Sequence, residues 1–313
     1  MAVSPASVAR PAPVAGRAAS RRSIFERESV FSWVMLAPGV LFLLAFVAYP
    51  FFYGIFLSLQ DRRVASVGTF VGLANFATQM QDAVFWQVTR NTFIYTIAAT
   101  FLKMVGGLAM ALVMNQSFRG RNLARAFLLL PFIVPTVLSS VAWMWILDPT
   151  FSVINWTLRN TGLVTQNFSW LGNATLAMVS IIMVNTWRGL PFYGITLLAG
   201  LQTISPDLQE AASLDGANGW HRFWHVTWPL LKPVTVVVVV FSIIQTFSDF
   251  QLIYVLTGGG PANATHLLAT YAYQIGIATG LLGEGAAISL FMLPVLFIVV
   301  WLQLRYLRRL EGA

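Results

Sequence analysis

Six stretches of this chain are long and apolar enough to cross a lipid bilayer, and nothing else in the sequence narrows its fold so far. A hydrocarbon core about 30 Å thick needs roughly 20 mostly apolar residues per helix. The stretches run from Phe31 to Ser58, Thr92 to Asn115, Arg125 to Leu147, Ala174 to Leu201, Val234 to Leu256 and Gly285 to Leu304. Lipid offers no water to the backbone, so every N–H and C=O must be satisfied within its own segment. The expected class is therefore all-α, a polytopic membrane protein with about six transmembrane helices. Soluble domains carry roughly 25% charged residues; here only 10% of 313 residues are charged and 57% are hydrophobic, which leaves no room for an ordinary soluble domain.

The chain has a formal net charge of +8, and the placement of its basic residues argues for membrane orientation rather than nucleic-acid binding. Arg10, Arg17, Arg21, Arg22 and Arg27, then Arg119, Arg121 and Arg125, then Arg222 and Lys232, and finally Arg305, Arg308 and Arg309 all fall on one side of a six-helix topology. The other side holds Arg62, Arg63, Arg90 and Arg159. This bias puts both termini in the cytoplasm. Residues 1–30, rich in Ala, Pro, Ser and Arg, read as a disordered basic tail and not a signal peptide. Residues 31–313 form the transmembrane domain. With no cysteine in the chain, disulfides, Cys-ligated zinc and thiol chemistry are excluded. No Gly-x-x-x-x-Gly-Lys-Ser/Thr loop for binding nucleotide phosphates occurs either.

Between the fourth and fifth stretches, at about 203–233, polar and apolar residues mix as nowhere else. Ser205 suits an N-cap, Pro206 a first helical position, and Gly216 the left-handed residue that ends a helix. A second short helix is expected from Asn218 to Thr227, giving a hairpin on the cytoplasmic side. His221 and His225 share a helical face but have no third ligand nearby, so no metal site is expected. Trp220, Phe223 and Trp224 either fill a partner's groove or brace the hairpin.

Here the residues carry a likeness. Glu210-Ala211-Ala212, three residues, Gly216, nine residues and then Val226-Thr227-Trp228-Pro229 resembles the EAA loop of binding-protein-dependent ABC importer permeases, although Val226 and Trp228 stand where Ile and Leu are usual. Trp187 to Phe192, Ala199 to Gln202, Asp215-Gly216-Ala217 and Tyr254 to Pro261 resemble the subgroup that carries sugars, polyols and glycerol-3-phosphate, as does Phe70 to Phe76. The resemblance implies an ABC type I importer permease fold and a non-catalytic transport subunit in the bacterial inner membrane. It also implies a second, related permease, two copies of a nucleotide-binding ATPase that holds the ATP and Mg, and an extracytoplasmic solute-binding protein. This chain itself would bind no cofactor. Glu210, Ala211, Ala212, Asp215, Gly216 and Pro229 would couple it to the ATPase.

Ionisable residues inside membrane helices are costly and face the bundle interior or a wet cavity. Lys103, Arg188 and Asp249 qualify. Ser242, Gln245 and Asp249 form one stripe on the fifth stretch, and Asn185 and Arg188 share a face of the fourth. Amides and carboxylates serve sugar hydroxyls while aromatic rings serve the apolar sugar faces. The candidate path is therefore Asn185, Trp187, Arg188, Phe192, Gln245 and Asp249, with Phe247 as a neighbour. Two structural readings stand beside it: Arg188 and Asp249 pair with one another, or with the partner permease, to hold the bundle, and Lys103 snorkels or packs between helices. Thr257, Gly258, Gly259, Gly260 and Pro261 form an outer loop, expected to be flexible, that would meet the binding protein or serve as a plain turn. Rival functions are an ion-coupled secondary transporter using Asp249 and a membrane enzyme using Asp249 with a histidine.

Overall fold

A computed structural model of the chain describes residues 28 to 311. The expected tail therefore lies almost wholly outside the described residues. These divide into two units, one ending at Tyr53 and one beginning at Gly54. The first unit is helical from Glu28: α1 (Glu28–Leu43) passes through a π-helical turn, Leu44–Ala48, into α2 (Tyr49–Ser58). Pro38 is accommodated inside α1.

The second unit starts with a hairpin of two-residue strands, β1 (Gln60–Asp61) and β2 (Thr69–Phe70), paired antiparallel, and the short helix α3 (Ala74–Gln81). The long α4 (Ala83–Asn115) follows; Asp82 caps it by accepting a bond from the Val84 N–H. Next come α5 (Arg121–Ile133), α6 (Thr136–Ile146) and the outlying α7 (Val153–Asn160). Then α8 (Ala174–Gln202), capped by Asn173, leads to α9 (Pro206–Leu214), α10 (Gly219–Arg222) and, through a π-helical turn at Phe223–Thr227, α11 (Trp228–Phe247). The chain finishes with α12 (Gln251–Leu256), α13 (Leu268–Tyr273), α14 (Leu282–Leu290) and α15 (Met292–Glu311).

Four continuous helices are long and apolar enough to span a membrane: Ser32–Ser58, Ala83–Asn115, Gly219–Phe247 and Leu282–Arg309. The pair α5 and α6 makes a fifth if counted as one span, bent by 95° where Pro135 removes a backbone donor. The expected span at 174–201 appears as α8, 29 residues long, but Asn185 and Arg188 hold its apolarity below that of the others. The fold is all-α apart from the small hairpin, and the protein is multi-pass. Two expected boundaries move for identifiable reasons. The second helix begins nine residues before Thr92, because Asp82 supplies an N-cap ahead of Ala83. The fifth stretch is broken at Ser248–Phe250, beside Asp249.

Within this unit α4 packs chiefly on α8. The two backbones approach closely because Gly107 faces Tyr193 and Gly194 faces Met110, leaving no space for a β-carbon at either glycine. One core beneath the crossing gathers Ala111, Tyr193, Leu197, Leu201, Leu231 and Val238. Another, towards the outer side, gathers Tyr95, Leu147, Ile181, Val184, Leu252 and Leu267. The crossing is tight enough to test: Gly107→Leu should destabilise the purified protein by about 1–3 kcal/mol through overpacking. Gly54→Ala, where an added β-carbon meets nothing within 4 Å, should change it by less than about 0.5 kcal/mol. Thermal unfolding followed by tryptophan fluorescence in detergent measures both.

Candidate functional site

Where α4, α8 and the broken end of α11 meet, the otherwise apolar interior turns polar. Lys103 on α4 is 4% exposed, and its ammonium donates to Asn185 Oδ1 at 2.9 Å and Thr246 Oγ1 at 2.7 Å. Asn185 passes the chain on, donating from Nδ2 to Asp249 Oδ2 at 3.0 Å. The Tyr95 hydroxyl donates to that same oxygen at 2.7 Å. Asp249 Oδ1 faces the Leu252 N–H at 3.4 Å, a weak cap for the first turn of α12. The break in the helix and the carboxylate within it are thus one local structure: three residues leave the helical path, and Asp249 meets a backbone donor exposed by the restart.

Beside this chain lies a cavity of about 350 Å³, within the range of small-ligand pockets. Asn185, Arg188, Phe192, Gln245 and Asp249, five of the six path residues picked from the sequence, line it. Trp187 does not; it turns to the opposite side and meets Trp143 edge-on at 5.5 Å. Phe247 is also absent from the lining, being 1% exposed in a core with Phe85, Val88 and Ile288. Arg188 and Asp249 make no ion pair: among the described residues the one salt bridge joins Arg63 and Asp61 at 3.8 Å. Arg188 instead donates from Nη2 to Thr136 Oγ1 at 2.6 Å, and its Nε has no protein partner. The buried hydroxyl of Ser242, also on the lining, has none either.

Sequence reasoning missed several contributors. Lys103 does not snorkel; its stem packs tightly on Gly189 and its head joins the polar chain. Thr136, Phe132 and Phe241 complete the wall, and Phe192 meets Phe132 at 6.1 Å and Phe241 at 5.3 Å. A usable signal did exist: Tyr95, Ala99 and Lys103 recur at four-residue spacing on one buried face of α4.

The segment at 203–233 is built largely as its residues suggest. Ser205 Oγ accepts from the Asp207 N–H at 3.2 Å, Pro206 opens α9, and Gly216 has φ of +84°. Glu210, Ala211, Asp215, Gly216 and Pro229 are exposed and Ala212 is half-buried. Leu214, at the tip, is 90% exposed, a feature the sequence reading passed over. The second arm differs from expectation. It is no separate short helix: Gly219 to Phe247 is one continuous 29-residue helix, so the arm is the inner end of a membrane span. Asn218 caps it, accepting from the His221 N–H at 2.9 Å. Gln209 Nε2 donates to Thr227 Oγ1 at 3.0 Å and ties the two arms. Trp220, Phe223 and Trp224 pack along the arm on one another and on Trp228, while His221 and His225 stack at 5.7 Å.

The loop at 257–261 is closed by hydrogen bonds from Thr265. Thr265 Oγ1 donates to Thr257 Oγ1 at 2.8 Å or Gly260 O at 2.7 Å, and the Thr265 N–H donates to Gly259 O at 3.1 Å. Gly258 and Gly259 have φ of +59° and +89°, and the ring of His266 lies so close over Gly259 that no β-carbon fits. Burial holds the His266 imidazole below its ordinary value, which keeps it neutral at pH 7. Asn91 Nδ2 donates to Asn263 O at 3.0 Å and Gln87 Nε2 to Ala262 O at 3.3 Å, fastening the following residues to α4. Pro261 is half-buried.

Known proteins with this sequence pattern are transport components. Residues 103–312 match the family described as binding-protein-dependent transport system inner membrane component. The trehalose/maltose transport system permease protein MalF of Thermococcus litoralis is 35% identical over 90% of this chain and 96% of its own. The trehalose transport system permease protein SugA of Mycobacterium tuberculosis is 32% identical over 89% of each. The sn-glycerol-3-phosphate transport system permease protein UgpA of Agrobacterium fabrum is 27% identical over 92% of this chain and 98% of its own. In fold, the chain matches a subunit of a bacterial ABC transporter involved in the import of the acidic polysaccharide alginate, with a TM-score of 0.79 over 91% of this chain and 97% of that one, at 23% identity. The polar break inside an all-α bundle, the capped arm at 205–227 and these likenesses agree: the chain belongs to the family of binding-protein-dependent transport system inner membrane components, as a permease subunit of an ABC importer.

Proposed function

We propose that this permease admits a sugar or a sugar-like solute, such as a polyol or sugar phosphate, and that the cavity beside Asp249 is its half of the passage. The observation that carries the reading is the cavity's mixed lining. Asp249 and Gln245 offer acceptors, Arg188 and Gln245 offer donors, and Phe132, Phe192 and Phe241 offer apolar faces, a set that suits a polyhydroxylated ring. The names of the relatives support the class, since they include trehalose, maltose and glycerol-3-phosphate permeases.

In this reading the working assembly holds a second, related permease, two copies of an ATPase that bind ATP and Mg, and an extracytoplasmic solute-binding protein. A neighbour of the same fold was solved with an alginate pentasaccharide-bound periplasmic protein, which supports the last of these. Both termini lie in the cytoplasm, in line with the basic residues that flank that side. The exposed Glu210, Ala211, Ala212, Asp215, Gly216 and Pro229, with Leu214 at the tip, enter a groove on the ATPase. Thr257 to Pro261, braced by Thr265 and His266, is part of the surface that receives the binding protein. Closure of the ATPase pair on nucleotide shifts the arm, the cavity changes its side of access, and solute enters. Such coupling requires the two states to differ in affinity for nucleotide and for the binding protein.

Copurification of this chain with its neighbours, followed by ATPase measurements over a panel of neutral and phosphorylated sugars and polyols, tests the assignment; stimulation by none of them would overturn it. Glu210→Lys and Gly216→Pro should each abolish uptake while the chain still inserts, as judged by membrane-fraction immunoblots. Wild-type uptake by both would remove the coupling role. Gln245→Ala should raise the solute concentration for half-maximal stimulation by about 2- to 10-fold, the effect of losing one neutral hydrogen bond, with the maximal rate nearly kept.

A further inference from the structure

Lys103 stands on the cavity wall with its polar head almost wholly enclosed. At 4% exposure it is out of reach of bulk water, and a charge at such depth is strongly unfavourable without compensation. It has no carboxylate within salt-bridge distance. Its counter-charge is Asp249, reached through a single side chain: Asn185 accepts from Lys103 on Oδ1 and donates to Asp249 from Nδ2. That arrangement is directional. An ammonium can only donate, so it fixes which end of the Asn185 amide faces it, and the other end must then present its hydrogens to the carboxylate. Tyr95 and Asn185 together occupy Asp249 Oδ2, and Oδ1 retains only the 3.4 Å contact with Leu252 N–H. The free oxygen therefore belongs to a carboxylate oriented by residues on two other helices.

We infer that Lys103 is a positioning residue of the passage: through Asn185 it holds the Asp249 carboxyl turned so that Oδ1 can accept from a solute hydroxyl, and it lends a positive charge to that side of the bundle. Two further observations fit. Gly189 leaves the exact gap through which the Lys103 stem runs, so α8 is shaped around this side chain. Thr246, the second acceptor for Lys103, sits in the last turn of α11, three residues before Asp249, so the ammonium grips the end of α11 as well as α8. A carboxylate that already has an internal counter-charge does not need a proton or a sodium ion, which separates this arrangement from that of an ion-coupled carrier.

The transport arm of this inference rests on the cavity being the solute site; the charge-compensation arm does not, and a mutant cycle separates them. Lys103→Met keeps an apolar stem for the Gly189 gap and removes the charge. Asp249→Asn removes the other charge with little change of shape. Each single variant of the assembled transporter should unfold at a lower temperature than the wild type, and each should lose about tenfold or more of its solute-stimulated ATPase activity, since each removes one end of the Lys103–Asn185–Asp249 chain and leaves a buried partner unsatisfied. The double variant should recover most of the lost thermal stability and none of the transport, because the pair is neutral again but the oriented acceptor is gone. Wild-type unfolding of Lys103→Met, or a double variant no more stable than the worse single one or unable to assemble, would overturn the inference. Recovery of both stability and transport would keep the charge pair and remove Asp249 from the solute site. As the positional control, Asn185→Leu, which cuts the link without altering either charge, should raise the half-maximal solute concentration more than it lowers the maximal rate. No change in that concentration would leave Lys103 without a positioning role.

Discussion

The close approach of α4 and α8 is what the rest of the second unit depends on. It exists because Gly107 and Gly194 present no side chain where Tyr193 and Met110 lie. In lipid there is no hydrophobic force to press two apolar helices together, so close packing and interhelical hydrogen bonds must do it. The approach supplies both at once. It brings Lys103 within 2.9 Å of Asn185, and a lysine ammonium placed there requires an acceptor on every side that water cannot reach. Asn185, Thr246 and, at one remove, Asp249 are therefore consequences of that crossing as much as features of a site.

The same requirement explains why α11 stops where it does. A regular helix through 248–250 would satisfy its own backbone but would carry Asp249 along an apolar surface. The break releases backbone groups that Asp249 Oδ1 and the Ser248 and Asp249 N–H groups re-engage, the latter two donating to Ile244 O at 3.3 Å and Thr246 O at 3.2 Å. Irregular backbone at membrane depth is tolerated only where protein or a wet cavity surrounds it. Here both do, and the bend between α5 and α6 brings Thr136 to the opposite wall, where it meets Arg188. Two irregular points on different helices thus make one polar chamber.

Much of this was legible in the sequence because lipid is a demanding solvent. Long apolar runs and the capped segment beginning at Ser205 each follow from a single strong constraint, and both appear in the fold. The site was legible in part: a polar residue inside an apolar run announces itself, which is why Asn185, Arg188, Gln245 and Asp249 were found. What the run does not announce is direction. Trp187 and Phe192 stand on the same helix, five residues apart, and point to opposite surroundings, Trp143 for one and the cavity for the other. Lys103 was taken for a packing or snorkelling side chain because its partners are 82 and 143 residues away. The outer loop was taken for flexible because glycines mark freedom when read singly; here their positive φ values and the overlying His266 ring make them the condition for a tightly bonded turn.

The continuity of Gly219 to Phe247 bears most directly on how the proposed coupling would work. At about 1.5 Å per residue, a helix of 29 residues spans roughly 43 Å, enough to reach from the cytoplasmic arm across the membrane. Its inner end is tied to α9 by Gln209 and Thr227. Its outer end carries Ser242 and Gln245 on the cavity wall and stops just before Asp249. A hairpin hinged separately from the span would have to pass its motion through a loop, where much of it would be absorbed. A single rod would convert a tilt at the arm into a displacement of the cavity wall, with the π-helical turn at Phe223–Thr227 and Pro233 as irregular points along it. Because the far end is gripped by Lys103 through Thr246, such a displacement loads the contacts that orient Asp249. Access and solute affinity would then change together, which is the condition for nucleotide energy to drive uptake.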